Sequence, residues 1–439
     1  MRENYRDLRV AVLGGGTVGA QVAHRLLEGA GELGSRSGAG LALVGVAVRD
    51  INAPRSAPIP AELLTTDSHS LILQADIVVE LMGGIEPART LILEALQSGA
   101  DVVTANKALL AEHGPELFDA AARVGAQLYY EAAVAAAIPI IRPLRDSLAG
   151  DRVTKIMGIV NGTTNFILDE MDSKGLSFES ALAAATEMGY AEADPSADID
   201  GFDAAQKACI LSSLAFHTAV PLDDVYREGI TSVSAQQIDA AKRSGHVIKL
   251  LAICERRIDL ATGQEGVSTR VHPTLIPRTH PLAAAHGANN AVYVEAEAAG
   301  PLMFYGAGAG GPETASAVLG DLVSAARRHV AGGPGVGEST HADLASIPLD
   351  HVESRLNISL VVKDQSGVLA AIAQVFRDHE VSVETLHQSA SEDTRRKGET
   401  ATLVIQTHSA LEARGRDTVK ALAANPVVVS VTSVLRVEG

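Results

Sequence analysis

Residues 8–19, Leu-Arg-Val-Ala-Val-Leu-Gly-Gly-Gly-Thr-Val-Gly, decide the fold. The first six form a short apolar run broken only by Arg9, the pattern of a strand buried on both faces. The last six match G-x-G-x-x-G at Gly14, Gly16 and Gly19, and Gln21–Leu27 follows with helical periodicity. Strand, glycine turn and helix in that order make the opening βα unit of a dinucleotide-binding sheet. Gly14 permits the tight turn, Gly16 lets the backbone approach a pyrophosphate, and Gly19 allows close helix packing. The helix N-terminus, with Thr17 and Val18 in its first turn, offers N–H groups and a partial positive charge to the anion.

Working outward, Leu41–Val48, Ile77–Leu81, Val102–Thr104 and Leu128–Glu131 read as further buried strands. Glu86–Ser98 and Pro115–Val124 read as the helices between them, and Gly31–Gly40 as a flexible insertion in the first crossover. Alternating strands and helices predict a parallel sheet built from βαβ units over residues 1–147. The second strand ends at Val48-Arg49-Asp50, where an acidic residue suits the ribose hydroxyl of NAD and an Arg the 2′-phosphate of NADP. Arg49 comes first, so NADP is favoured, with NAD as the alternative.

The chain has 439 residues, which at roughly 150 per domain predicts about three domains. Residues 148–313 mix Ala-rich helices (Phe178–Met188, Gly201–His217, Ala235–Lys242) with alternating strands (Lys249–Arg256, Ala291–Ala298), an α+β pattern. A helix at 314–330 is expected to return to the nucleotide domain. Residues 331–352 lose apolar periodicity and read as a linker. Residues 353–439 then give β-α-β-β-α-β, the ferredoxin-like arrangement.

Lys plus Arg is 36 and Asp plus Glu is 53, so the net charge is 36 − 53 = −17, which argues against nucleic acid as a partner. Cys209 and Cys254 are too few for a disulfide framework or a Cys-built zinc site. The longest apolar run, Ala132 to Ile141, is too short for a bilayer, which needs roughly 20 residues. The N-terminus lacks the apolar core and cleavage site of a secretory signal, so a cytoplasmic location is expected.

Two stretches carry chemistry. Thr104-Ala105-Asn106-Lys107 follows a strand at the sheet end where ligands bind, and Lys107 there suits a cofactor or a developing negative charge. Residues 189–207 gather five carboxylates and Lys207. A calcium loop fails, because aligning Gly201 with the loop glycine puts Lys207 where a bidentate Glu belongs. Asp203 and Lys207 are spaced i, i+4 on a helix, which suits a surface ion pair equally with a site in which Glu192 and the Asp residues bind an amino group and Lys207 donates a proton.

The run Ala185-x-x-x-Gly189, Asp194-Pro195, Asp198-Ile199-x-Gly201-x-Asp203 and Lys207 resembles the signature of homoserine dehydrogenases. Gly16–Gly19, Val102–Lys107, Asn161-Gly162-Thr163-Thr164-Asn165 and Gly306–Leu319 resemble the same family, in the same order. Asp364-x-x-Gly367-Val368-Leu369-Ala370 resembles the entry of an ACT domain. The resemblance implies a Rossmann-like domain, a substrate-binding and dimerisation domain, and a ferredoxin-like ACT domain. It implies reversible NAD(P)H-dependent reduction of L-aspartate 4-semialdehyde to L-homoserine, in threonine, methionine and isoleucine biosynthesis. Lys207 would give the proton to the carbonyl oxygen, and Lys107 would assist there, one cation depressing the pKa of the other. Glu192 and Asp203 would bind the amino-acid end of the substrate, Asp198 would hold the amino group or orient Lys207, and Gly189 and Gly310 would lie against substrate or cofactor. A monovalent cation, Na⁺ or K⁺, would be held by the Glu131 carboxylate and the carbonyls of Val134, Ala136 and Ile138. Relatives carry glycine in that loop, where this chain has alanines, so positive φ there would cost energy.

The ACT region implies threonine feedback, with a dimerising module that has lost its ligand as the alternative, and the family implies a homodimer or homotetramer. An aspartate-semialdehyde dehydrogenase would need a reactive Cys nucleophile, which Cys209 and Cys254 do not suit. A silent amino-acid sensor would have lost Lys207, Lys107 or Glu192, and all three are present.

Overall fold

The computed structural model describes residues 5–335, 337–390 and 400–439, and the parts of the expected domains at residues 1–4, 336 and 391–399 lie outside them. The chain divides into two compact units. The first comprises Met1–Gly162, Asp203–Val225 and Ala288–Leu344; the second comprises Thr163–Phe202, Tyr226–Gly287 and Ala345–Gly439.

The first unit is built on six parallel strands: β1 (Tyr5–Leu13), β2 (Ala39–Ala47), β3 (Leu64–Thr65), β4 (Ile77–Glu80), β5 (Asp101–Thr104) and β6 (Leu128–Tyr129). Their order is β3-β2-β1-β4-β5-β6, the doubly wound arrangement in which the order reverses beside β1. That reversal opens a crevice at the strand ends, where the glycine turn sits. The helix Gly311–Ala331 packs on the helix Thr17–Glu28, burying Ala315, Val318, Leu322 and Ala325 against Val22 and Leu26. The unit also holds a three-stranded antiparallel sheet of Val153–Ile159, Asn289–Ala296 and Gly300–Ala307.

Two local expectations are corrected. Residues 31–40 are not a flexible insertion: Ala30–Ser37 is a helix, ended by Gly38 at φ 85°. The Ser37 hydroxyl donates to the Leu33 carbonyl, and the Arg36 carbonyl accepts from Arg327 Nε at 3.0 Å. The returning helix therefore supplies a packing face that local composition does not reveal. Likewise, the helix expected to open at Pro115 opens at Lys107, with Pro115 in its interior. Asn106 caps it by accepting from Leu109 N at 3.2 Å, which overrides the proline as a start signal.

In the second unit, His246–Ile258 and Glu265–Pro277 pair antiparallel over their full length. The C-terminal region runs strand Glu353–Lys363, helix Val368–Asp378, strands Val383–Ala390 and Thr400–Thr407, helix Glu412–Ala424, strand Val428–Val437. Its antiparallel sheet is ordered last-first-third-second, as in a ferredoxin-like fold. The core is Ile358, Leu360, Leu403 and Ile405 under Ile372, Phe376 and Leu422. Thr274 and Leu275 pair in parallel with Arg436 and Val437, so this domain's last strand continues the preceding sheet. Among the described residues no helix is long and apolar enough to cross a membrane.

Leu322 is fully buried where the returning helix meets the nucleotide sheet. Leu322→Ala is expected to cost about 2–5 kcal/mol, read as a lower urea midpoint of the nucleotide unit. An unchanged midpoint would mean that this helix does not support the sheet.

Candidate active site

The glycine turn is shaped by contacts that exclude side chains at two positions and leave space at a third. A Cβ on Gly14, at φ 105°, would lie 2.6 Å from the Leu81 carbonyl oxygen, and one on Gly19 would lie 1.9 Å from the Gly14 carbonyl oxygen. A Cβ on Gly16 would meet nothing within 4 Å. Gly16 caps the helix Thr17–Glu28 with no side chain bonded to its first N–H groups. Open space in front of helix N–H donors is what a pyrophosphate needs, so these residues fit a dinucleotide. Gly310, at φ 128°, caps the returning helix, and Gly311 approaches Thr17 so closely that a Cβ would stand 3.0 Å from Thr17 Cγ2.

Arg49 is exposed just past the end of β2. Sequence reasoning missed Arg55. Its guanidinium donates to the Gly15 carbonyl at 3.3 Å and to the Asp50 carbonyl, and its buried Nε has no partner among the described residues. Only the glycine turn's spacing from the Pro54-Arg55 segment, set by the fold, brings this cation to the turn.

Lys107 is placed by a chain of buried bonds at the ends of β4 and β5. The Thr104 hydroxyl donates to Glu80 at 2.6 Å, the Asn106 N–H donates to that hydroxyl, and Glu80 also accepts from Met82 and Gly83 N–H. Lys107 then begins its helix, with its ammonium 2.6 Å from Asp203 Oδ1. Asp203 lies in the first turn of the helix Phe202–Phe216, and its Oδ2 accepts from Lys207 Nζ and from Asn161 Nδ2, each at 2.8 Å. Lys207 Nζ also donates to the Val160 carbonyl at 2.7 Å. Val160 and Asn161 directly follow the strand Val153–Ile159.

One carboxylate therefore bridges two ammonium groups, with side-chain exposures of 7% for Asp203, 9% for Lys207 and 40% for Lys107. Burial alone would raise the Asp203 pKa, but the Lys207 and Lys107 charges outweigh it and hold the carboxyl well below the usual carboxylate range. The expectation of one lysine acting directly on the other meets an anion standing between them. Asn161, quoted only as part of a motif, is a member of this cluster.

Gly189, Glu192 and Asp198 belong to the second unit. Gly189 adopts φ 76°, Glu192 is exposed, and Asp198 is half-buried in the short helix Ser196–Ile199. The Tyr190 carbonyl accepts from the Thr163 hydroxyl at 2.7 Å, and its ring lies 5.0 Å from that of Phe166. That pair ties the 189–192 segment to the helix Gly162–Lys174.

In the expected cation loop, Ala135 and Ala136 take φ 58° and 46°, so the left-handed backbone is kept without glycine. The Glu131 carboxylate is committed elsewhere. Oε1 accepts from Ile140 and Ile141 N–H at 2.6 and 2.7 Å, and Oε2 from Arg142 N–H and Nε at 3.0 and 2.8 Å. With each oxygen accepting twice, the loop's remaining candidates are main-chain carbonyls, including that of Glu131 itself. Among the described residues no cluster of three or more His, Cys, Asp or Glu could hold a metal ion.

Comparison with known proteins follows the same division of the chain. Residues 139–323 match the family model described as homoserine dehydrogenase, residues 14–131 the homoserine dehydrogenase NAD-binding domain, and residues 356–424 the ACT domain. The homoserine dehydrogenase of Corynebacterium glutamicum is 52% identical over 431 residues, covering 98% of this chain and 95% of that one. That of Mycobacterium tuberculosis H37Rv is 53% identical over 441 residues, covering 100% and 99%. This chain belongs to the homoserine dehydrogenase family.

It is accordingly an NAD(P)-dependent oxidoreductase. The crystal structure of a homoserine dehydrogenase from Thiobacillus denitrificans superposes with a TM-score of 0.90 at 37% identity, covering 99% of each chain. A hyperthermophilic archaeal homoserine dehydrogenase in complex with NADPH superposes with 0.60 at 26% identity, covering 75% of this chain and 99% of that one.

One buried lysine of this homoserine dehydrogenase chain escaped sequence reading. Lys249, 1% exposed, donates to Asn165 Oδ1 at 2.9 Å and to the Ala285 carbonyl at 2.7 Å. Asn165 Nδ2 in turn donates to the Ala285 and Gly287 carbonyls. This holds the helix Gly162–Lys174, which carries Thr163. Burial pushes the Lys249 ammonium down to about 8, against weaker support from Asp169 and Asp172. Between about pH 8 and the ordinary lysine value the unfolded chain binds a proton that the folded chain has released, so this group makes stability rise with pH there. The denaturant midpoint of wild type minus that of Lys249→Met is expected to grow from pH 8 to 10. A difference that stays flat would mean that Lys249 is charged throughout.

Proposed function

We propose that this chain catalyses the reversible NAD(P)H-dependent reduction of L-aspartate 4-semialdehyde to L-homoserine, a step toward threonine, methionine and isoleucine. The observation that carries the reading is the Asp203 carboxylate bridging the Lys107 and Lys207 ammonium groups. When bound, the nicotinamide exchanges a hydride with the substrate carbon. As the aldehyde accepts it, negative charge builds on the carbonyl oxygen, and cations held in a water-poor site lower the energy of that charge. Lys207, aimed by the Val160 carbonyl and Asp203, gives its proton to that oxygen and recovers it in the reverse direction. Lys107, the more exposed of the two, assists at the same oxygen from the cofactor side. Asp203 holds both lysines in register, and Glu192, Asp198 and the Gly189 turn take the amino-acid end of the substrate.

NADP is the preferred cofactor in this reading. Gly14, Gly16, Thr17, Val18 and Gly19 take the pyrophosphate, and Arg49 and Arg55 lie near the end of β2, where a 2′-phosphate belongs. The NADPH complex of the archaeal relative agrees with that preference. A monovalent cation is held by the carbonyls of Glu131, Val134, Ala136 and Ile138, whose loop keeps its left-handed turn. Threonine binds the ACT domain, where a 320 Å³ pocket is lined by Lys363, Asp364, Gly367 and Gln388. A lysine and an aspartate suit the two charged ends of an amino acid. The enzyme works as a cytoplasmic homodimer or homotetramer.

Initial rates of L-homoserine oxidation test the reading. NADP is expected to give the higher kcat/KM, and Lys207→Met to lower kcat by roughly 10²–10⁴-fold. Lys207→Met retaining wild-type kcat would move the proton donor elsewhere. No turnover with NADP or NAD, with or without Na⁺ or K⁺, would contradict the reaction.

A further inference from the structure

The helix Lys107–Val124 and the helix Phe202–Phe216 both belong to the first unit and carry the site at their N-terminal ends. The Lys107–Asp203 contact pins those ends together at 2.6 Å. Farther along, a cavity of 490 Å³ opens between them, within the roughly 300–1,000 Å³ typical of small-molecule sites. Its walls are mainly apolar, with Phe118 from one helix and Leu214 from the other.

Three polar features give the cavity a chemical sign. Pro115, inside its helix, has no N–H to give the Ala111 carbonyl, which is thereby released from the helical ladder. The Cys209 thiol stands 3.9 Å from that oxygen but lies closer to the Val220 carbonyl, at 3.0 Å. Burial pushes this thiol up to about 12, so it stays neutral. The carboxylates of Glu112 and Asp119 border the cavity from the Lys107 helix, and Glu338 borders it while bonded to Arg145. Among the described residues no lysine, arginine or histidine lines it. A released carbonyl and acidic groups around an apolar space complement a compact apolar body with a cationic N–H head.

We propose that this cavity is a binding site for a small aliphatic ammonium compound, and that occupying it alters turnover by shifting the two helices that carry Lys107, Asp203 and Lys207. The ligand's body fills the space between the helices, and its head meets the Ala111 carbonyl and the Asp119 carboxylate. Helices move as rigid bodies, so a wedge between them changes the Lys107–Asp203 geometry at their joined ends, without contact with substrate. The kinetic half of this proposal rests on the homoserine reaction proposed above; the binding half does not.

Cyclohexylamine is the probe, titrated calorimetrically into the full chain, with cyclohexanol and cyclohexanecarboxylate as neutral and anionic controls. Ala219→Trp places an indole in the lining from an exposed position, away from the lysines. Saturable binding of the amine with Kd on the order of 1 mM is expected, with the alcohol about tenfold weaker and the carboxylate silent. Ala219→Trp should abolish that binding, and Asp119→Asn should weaken it several-fold. The amine should change kcat at saturating homoserine in wild type and leave Ala219→Trp unchanged. No saturable heat, equal binding by the alcohol, or undiminished binding to Ala219→Trp would overturn the site. Binding with unaltered kcat, in an enzyme that turns over homoserine, would overturn the coupling. An enzyme that binds the amine but never turns over homoserine would instead refute the reaction and leave the site standing.

Discussion

A buried carboxylate between two ammonium groups is the constraint around which the first unit is arranged. Asp203 is enclosed, and an isolated ionised carboxylate there would be strongly disfavoured. Lys207, Lys107 and the Asn161 amide satisfy it, each from a different segment of chain. Removing one partner from such a cluster typically costs about 3–5 kcal/mol, because the remaining charge stays buried. The same cluster fixes two cations in place without solvent reorganisation, which is what stabilising a developing oxyanion requires.

Bringing those three segments together is the work of sheet ends. Lys107 comes from the turn after β5, set by the Glu80–Thr104–Asn106 bonds, and Asn161 from the turn after Val153–Ile159. Asp203 and Lys207 come from the opening turns of one helix, four residues apart, so both reach the same side. The glycine turn lies at the end of β1, two strands from β5 in the same sheet, so cofactor site and lysine site share one edge. The returning helix seals this sheet with residues about 300 positions downstream of its first strand, which makes the nucleotide fold depend on chain far along the sequence.

What was legible in the sequence was local. The Gly14–Gly19 spacing, the β-strand runs and the β-α-β-β-α-β pattern at the C-terminus all rest on neighbours in sequence, and the structure shows those elements. Residues 31–40 were misread because the helix Ala30–Ser37 is supported by Arg327 of the returning helix, and Pro115 was misread because the cap at Asn106 dominates. The cluster of Lys107, Asp203 and Lys207 came from family resemblance; spacing alone suggested only the Asp203–Lys207 pair. Arg55 and Lys249 were invisible, because a cation in a loop or a strand carries no periodic signal of what it will touch. The Glu131 carboxylate accepts from the backbone N–H groups of Ile140 and Ile141, contacts that no local pattern announces.

The central claim is that Asp203 and Lys107 act as one unit with Lys207 beside them. A double-mutant cycle on kcat/KM for homoserine, using Lys107→Met, Asp203→Asn and the pair, measures that directly. Strong non-additivity, an interaction energy of about 1–3 kcal/mol, is the predicted result. Effects that add to within about 0.5 kcal/mol would contradict it, because residues sharing a bridging contact would then be acting independently.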